Sequence, residues 1–420
     1  MIARFQQIRS GFERPFWIAN ITEIFERLSY YAVFSTLALY LNKTLGFPTA
    51  QASGLSGIFG GAVWVMAIFG GALADRTGFR RALSSAYLIL TFAYFLVGSI
   101  GAPWLAPVRS VIPLGLLAGV ILFLPALGVA LVKPSVVGTT ARASKENVRS
   151  IGYAIYYTMV NIGSAAGPLL GGWISERMRA ENVFMLAALS VFAMFFVVLL
   201  FFKEPRDAHA GGEAVESLGQ VMRNFLTVLR NRRFVLFLLI YSGYWIVFWQ
   251  QYVTLPIYIF DYVIPNAGLA QMILSTDPLI VITLTVAVSA LTRKMSAFQA
   301  LTLGTLITSL GWLVLAAKAS IPTAILSLVL VALGEITQAP RYYEYVSRLA
   351  PRAQQGTYMG FAFLPIGIGS LVGGFGGALL HHFGEVAHEP AVFWLIVTGV
   401  GIATTMLLWL YDRRSAVAAV

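Results

Sequence analysis

Long apolar runs recur along this chain from one end to the other, and they constrain its fold more than any other feature. Runs of about 20 residues, the length an α-helix needs to cross a hydrocarbon core, number twelve. They lie at roughly 16–41, 50–74, 82–101, 111–134, 149–175, 183–202, 234–261, 267–291, 297–317, 321–347, 355–380 and 391–411. Inside a bilayer each backbone N–H and C=O must find its partner within the segment, so runs of this kind form helices. Only 11% of the residues are charged and 58% are hydrophobic, where a soluble domain carries about 25% charged residues. The sequence predicts an all-α membrane protein with twelve transmembrane helices.

The basic residues predict its orientation. Alternate connections, counted from the N-terminus, hold Arg76, Arg80 and Arg81, then Arg142, Lys145 and Arg149, then Arg293 and Lys294, and finally Arg413 and Arg414. The opposite connections hold only Lys43, Arg109, Arg177, Arg179 and Lys318. By the positive-inside rule both termini face the cytoplasm of a cell (inner) membrane. The net charge of +11 is thus a topology signal, and no nucleic-acid partner is needed to explain it. The first apolar run starts near Phe16 and continues for a full span, so it predicts an insertion signal that stays in place, not a cleaved leader. The chain has no Cys and four His; without a thiol, a His pair at ligand spacing, a Walker A loop or a G-x-S-x-G turn, an enzyme, a metal site or a bound cofactor is not expected.

Six spans, a basic connector at 203–233 and six further spans predict two similar halves, 1–202 and 234–420, with a binding site near the midplane between them. The connector holds an amphipathic stretch, Val215 to Leu229, suited to the membrane surface. Small residues at Gly57, Gly60, Gly61, Gly70 and Gly71 are echoed at Gly367, Gly369, Gly373, Gly374, Gly376 and Gly377, which is a close-packing pattern for helices in lipid. One polar patch interrupts the first span. Glu23, Glu26, Arg27, Tyr30 and Phe34 share one helical face, and each charge at mid-bilayer costs about 2.5–3.5 kcal/mol on insertion scales. Such a face must look into protein or a wet cavity.

Several segments carry a family resemblance. Gly70-Gly71-Ala72-Leu73-Ala74-Asp75-Arg76-Thr77-Gly78-Phe79-Arg80-Arg81 resembles the loop after the second helix of the major facilitator superfamily. Glu23-Ile24-Phe25-Glu26-Arg27-Leu28-Ser29-Tyr30-Tyr31, Gly128 to Pro134, Tyr156 to Ser164 and Leu333-Gly334-Glu335 are similar, in order and spacing, to motifs of its proton-dependent oligopeptide transporter branch. The resemblance implies two six-helix bundles in the major facilitator fold, working as a monomer in the lipid bilayer. It further implies that Arg27 and Lys133 bind a substrate carboxylate, that Glu335 and Asn161 hold its amino group, and that Tyr30 lines the pocket. Glu23, Glu26 and Glu335 would take part in proton coupling, and Asp75 and Arg76 in gating.

The chain departs from the family pattern at Trp249, which stands where a Glu is common, and at Trp64 and Ala362, which replace a pocket Tyr and Trp. Asp277-Pro278 replaces Asn-Pro and adds a carboxylate. Asp277 either joins the cavity as a proton-coupling group or caps a helix kinked at Pro278. Arg341 either contacts substrate or pairs with Glu344 at i, i+3. Trp245 belongs either to the site or to an aromatic packing stripe. The function expected is proton-coupled symport of small peptides or related zwitterionic or anionic solutes by alternating access. The alternatives are proton-antiporting export of drugs or amphipathic compounds, and a membrane protein that binds without translocating.

Overall fold

The computed structural model describes residues 11–205, 218–349 and 355–417. Arg4, Arg9, the start of the amphipathic stretch at Val215 and the Ala350-Pro351 pair lie outside the described residues. Among the described residues the regular structure is helical, apart from an isolated bridge between Phe12 and Ser144.

The first half contains α1 (Arg14–Leu39), α2 (Thr49–Thr77), α3 (Phe79–Ser99), α4 (Leu114–Arg142), α5 (Arg149–Arg177) and α6 (Glu181–Phe201). A short connector helix, Leu218–Leu229, precedes α7. In the second half α7 runs through Arg232–Phe248, Gln250–Val253 and Leu255–Tyr258, and α8 through Ala267–Ile273 and Thr276–Leu291. Then come α9 (Ala297–Ala317) and α10 (Ile321–Leu349). The last two are α11, in the pieces Gln355–Phe361, Leu364–Gly373 and Gly376–Leu380, and α12 (Pro390–Val417). Among the described residues ten spans are long and apolar enough to cross a membrane. The other two long helices, α1 and α5, are similar in length but carry the polar residues of the first half, which is why apolarity alone passes over them.

α1 is the centre of its half. It buries most of its surface, from Phe16 and Ala19 through Glu23 and Glu26 to Phe34 and Leu37, and leaves one stripe of its first turns, with Ile21 and Phe25, exposed. It lies against α5, α6, α4 and α2. Its seam with α5 is made by Gly163, Gly167 and Gly171, four residues apart. A methyl group added at Gly163 would stand 2.6 Å from Arg27 Cβ, and one at Gly167 would stand 2.8 Å from the Leu28 carbonyl. Glycine is required there because backbone meets backbone. A related device joins α2 to α4. Pro134 has no N–H, so the Ala130 carbonyl lacks its helical donor, and Gly70 of α2 closes on that carbonyl.

The halves meet along two seams, α2 with α11 and α5 with α8. The tightest approaches lie toward the end away from the termini, here called the far end. There Gly172 and Gly268 abut backbone to backbone, as do Gly57 and Gly374. Polar contacts tie the same end: Lys43 to Asp261 at 2.5 Å, Thr49 Oγ1 donating to Glu385 Oε1 at 2.6 Å, and Gln271 Oε1 accepting from Thr36 at 3.0 Å and Ser175 at 3.1 Å. The far end is closed.

Candidate functional site

The patch on α1 folds into a compact charge cluster. Arg27 Nε lies 2.5 Å from Glu26 Oε2 and 3.5 Å from Glu23 Oε1, and its guanidinium sits over the Tyr30 ring at 5.0 Å. Glu23 and Glu26 are fully buried and Arg27 is 4% exposed. The cluster leaves capacity unused: Arg27 Nη2, Glu26 Oε1 and both oxygens of Glu23 have no hydrogen-bond partner. A guanidinium matches a carboxylate through two parallel N–H groups, so the free Nη2 is a donor that a ligand can take. Tyr30 stacks on Phe59 at 5.6 Å, and its hydroxyl is also unpartnered.

Lys133 reaches the same region from α4, within electrostatic range of Glu23, Glu26 and Arg27. Its ammonium lies 4.1 Å from the Trp64 ring centroid and 5.2 Å from that of Phe363. It therefore spans from the first half to α11 of the second. Desolvated cation–π contacts of this kind are worth about 2 kcal/mol. Lys133 makes no ion pair among the described residues.

The second half presents acids. Glu335 on α10 is half-buried and, among the described residues, has neither an ion pair nor a hydrogen bond. Asp277, at the start of the second piece of α8, is 4% exposed and lies against the Gln251 amide of α7, within electrostatic range of Glu335. Tyr31 stands between the clusters, in range of Arg27 on one side and of Glu335 and Asp277 on the other. Lys133, Tyr31, Tyr156, Trp245, Glu335 and Tyr343 are all partly accessible at mid-helix positions, as residues lining an internal chamber are.

The structure thus gathers Glu23, Glu26, Arg27, Tyr30 and Lys133 in one cluster and Glu335 with Asp277 in a second. Other expected residues stand differently. Asn161 on α5 is buried and donates to the Tyr157 carbonyl of its own helix at 2.8 Å. Trp245 packs between Tyr244, Phe248 and Trp249, and its indole N–H is free. Arg341 is taken up elsewhere, with Glu344 Oε2 at 2.8 Å and the Thr292 and Arg293 carbonyls at 3.4 and 3.3 Å. Arg76 is exposed, and the side chain of Asp75 lies outside the described residues. No group of three His, Asp or Glu side chains is close enough to hold a metal among the described residues.

Sequence reasoning gave no role to Tyr31, Gln251 or Tyr157, nor to the far-end contacts. Tyr31 carried a signal, being adjacent to Tyr30 in the charged patch. Trp249, noted only as a departure, donates its indole N–H to the Ile366 carbonyl at 3.0 Å and packs against Phe34 and Tyr252. It seals α1 against α7 and α11.

Residues 20–373 match the Major Facilitator Superfamily. The chain is 24% identical over 392 residues to Multidrug resistance protein MdtH of Escherichia coli strain K12, covering 93% of this chain and 92% of that protein. Among solved structures it is similar to a POT family transporter in complex with 5-aminolevulinic acid (TM-score 0.78, 18% identity, 96% of each chain). It is similar also to a peptide transporter POT in complex with sulfate (TM-score 0.77, 20% identity, 97% of this chain and 98% of that one). The nucleoside transporter NupG shares the fold as well, at a TM-score of 0.78 and 11% identity over 94% of this chain and 99% of that chain.

Proposed function

This chain belongs to the major facilitator superfamily, and from that premise we propose that it is a proton-coupled secondary transporter of small zwitterionic solutes, with short peptides and related compounds leading. The reading rests on one observation. Unused cationic groups, Arg27 Nη2 and Lys133, occupy the first half, and a carboxylate without a cationic partner, Glu335, occupies the second, around partly accessible space. A solute with a carboxylate at one end and an ammonium at the other complements both. Its carboxylate is held by Arg27 and Lys133, its ammonium by Glu335, with Tyr30 and Tyr31 along the wall and Asn161 and Trp245 at the margin.

In the proposed cycle the protein sits in the inner membrane as a monomer, with both termini cytoplasmic. Residues 1–202 and 234–420 rock about the connector at 203–233, with Asp75 and Arg76 steadying the cytoplasmic gate. A carboxylate in a low-dielectric chamber has its charged form disfavoured. A proton on Glu335, or within the Glu23–Glu26 pair, or the arriving ammonium, therefore permits the chamber to reorient, and differential binding to the two orientations drives the cycle.

Glu335→Gln in proteoliposomes tests this. Accumulation driven by a proton gradient is expected to be lost while counterflow exchange persists; undiminished gradient-driven accumulation would overturn the proposal. A second reading, proton-antiporting export of amphipathic compounds, is favoured by the aromatic wall of Trp64, Trp245, Trp249 and Phe363 and by the similarity to the multidrug resistance protein. The direction of solute flux under an imposed inward proton gradient separates the two.

A further inference from the structure

Both helices next to the acidic cluster are broken. α7 is interrupted at Trp249 and again at Thr254, and α8 at Leu274–Ser275. Proline leaves an orphan in each. Pro256 cannot donate to the Tyr252 carbonyl, and Pro278 cannot donate to the Leu274 carbonyl. In α8 the chain tightens before the gap, with the Leu274 and Ser275 amides donating to the Gln271 and Met272 carbonyls at 3.1 and 3.0 Å.

Buried polar side chains flank these breaks. Asp277 is 4% exposed, Ser275 1% and Gln251 fully buried. Asp277 Oδ1 and Ser275 Oγ have no hydrogen-bond partner, and the Gln251 amide has none besides its approach to the Asp277 carboxyl. Among the described residues no Lys, Arg or His acts on Asp277; the charged group within its range is another acid, Glu335. The tyrosines in range, Tyr31, Tyr157, Tyr244 and Tyr252, are neutral groups. A bare carboxylate in such a place carries a penalty of several kcal/mol, and each buried polar atom left unpaired asks for a partner.

We propose that the α7–α8 break is a sodium site, held by the Asp277 carboxylate, the Gln251 amide oxygen, the Ser275 hydroxyl and the Leu274 carbonyl freed by Pro278. One proton would neutralise Asp277 and let it donate to a single neighbouring oxygen, leaving the rest without a partner. A hard monovalent cation satisfies all of them, as carbonyls of interrupted helices do for ions in other membrane carriers. The site adjoins the position at which Glu335 meets the solute, but does not use Glu335 as a ligand. It lies one to two turns from Gln271, which ties Thr36 and Ser175 at the far end. Occupancy therefore stiffens α8 beneath the closed gate.

The test uses the full chain in detergent, with sodium itself as probe. Thermal midpoints are compared in NaCl, KCl and choline chloride at constant ionic strength, alongside direct binding of radioactive sodium. A saturable rise specific to sodium is expected, with bound counts to match. Asp277→Asn should abolish both, and Gln251→Ala should raise the half-saturating sodium concentration on the order of tenfold without lowering the plateau. Glu335→Gln should retain sodium binding even where it loses proton-driven accumulation, so this site and the proposed function fail separately. Absence of a saturable sodium effect in the unaltered protein, including a response to pH alone, overturns the proposal. So does an unchanged sodium response in Gln251→Ala, the variant that decides if Asp277→Asn does not fold.

Discussion

Substituting Gly172 by Ala should tilt the protein toward a state open at the far end. Gly172 on α5 and Gly268 on α8 touch backbone to backbone, and a methyl placed on Gly268 would stand 2.6 Å from the Gly172 carbonyl oxygen. A methyl on Gly172 would meet the Gly268 carbonyl in turn. Neither clash is relieved by rotating a side chain, so the helices must separate by about 1 Å to restore ordinary contact distance. Overpacking of this kind costs about 1–3 kcal/mol. Where the contact exists only in the closed arrangement, that cost falls on one state alone and shifts the closed-to-open ratio roughly 5- to 150-fold. The chain has no Cys, so spin labels on cysteines introduced at Arg179 and Val386 report the far end without background. Their side chain and residue are 81% and 60% exposed, respectively. Gly172→Ala should broaden or lengthen the interlabel distance distribution. Gly399→Ala on α12, where an added methyl meets nothing within 4 Å, should leave it unchanged. A Gly172→Ala distribution like that of the parent, or an equal shift from Gly399→Ala, would refute the assignment of this seam as the closing contact.

Removal of Arg27 alone should be severe. Arg27→Ala strands Glu23 and Glu26 in full burial and is expected to destabilise by about 3–5 kcal/mol, whereas Arg27→Met combined with Glu26→Gln should recover much of the loss in a thermal unfolding cycle. The Lys43–Asp261 pair, with side chains 33% and 24% exposed, should show a coupling of about 1 kcal/mol or less, diminishing as salt is raised in a double-mutant cycle.

The α1 patch was legible because ionised groups are expensive in an apolar span and their spacing sets a shared face; Glu23, Glu26, Arg27 and Tyr30 do cluster. The alternatives for Arg341 could not be separated from the sequence, since a local partner at i+3 and a distant cavity are equally compatible with one helix face. In the structure Glu344 and two backbone carbonyls take it. A kink at Pro278 was one of two readings the sequence left open, while the α7 breaks were hidden because membrane helices tolerate Pro256 without necessarily breaking. The far-end ties were hidden for another reason: Lys43 and Asp261 are 218 positions apart, and Thr49 and Glu385 336, so only the packed fold brings them together.

The two halves balance buried charge in different ways, and on the proposed reading this divides the labour of transport. In α1 the guanidinium of Arg27 sits between two carboxylates of its own helix, and Lys133 of α4 offsets the remaining negative charge, so the first half carries its own counter-charges through any rigid motion. Its spare Nη2 serves recognition. Among the described residues Glu335 and Asp277 have no such cation on their own half, so what balances them must arrive: a proton, an ammonium group or a small cation. A conformational change can be driven only by a ligand that favours one state over another. Groups whose neutralisation depends on a visitor meet that condition most directly. Changes at Arg27 should therefore act chiefly on solute affinity, while changes at Glu335 and Asp277 should act on the driving force.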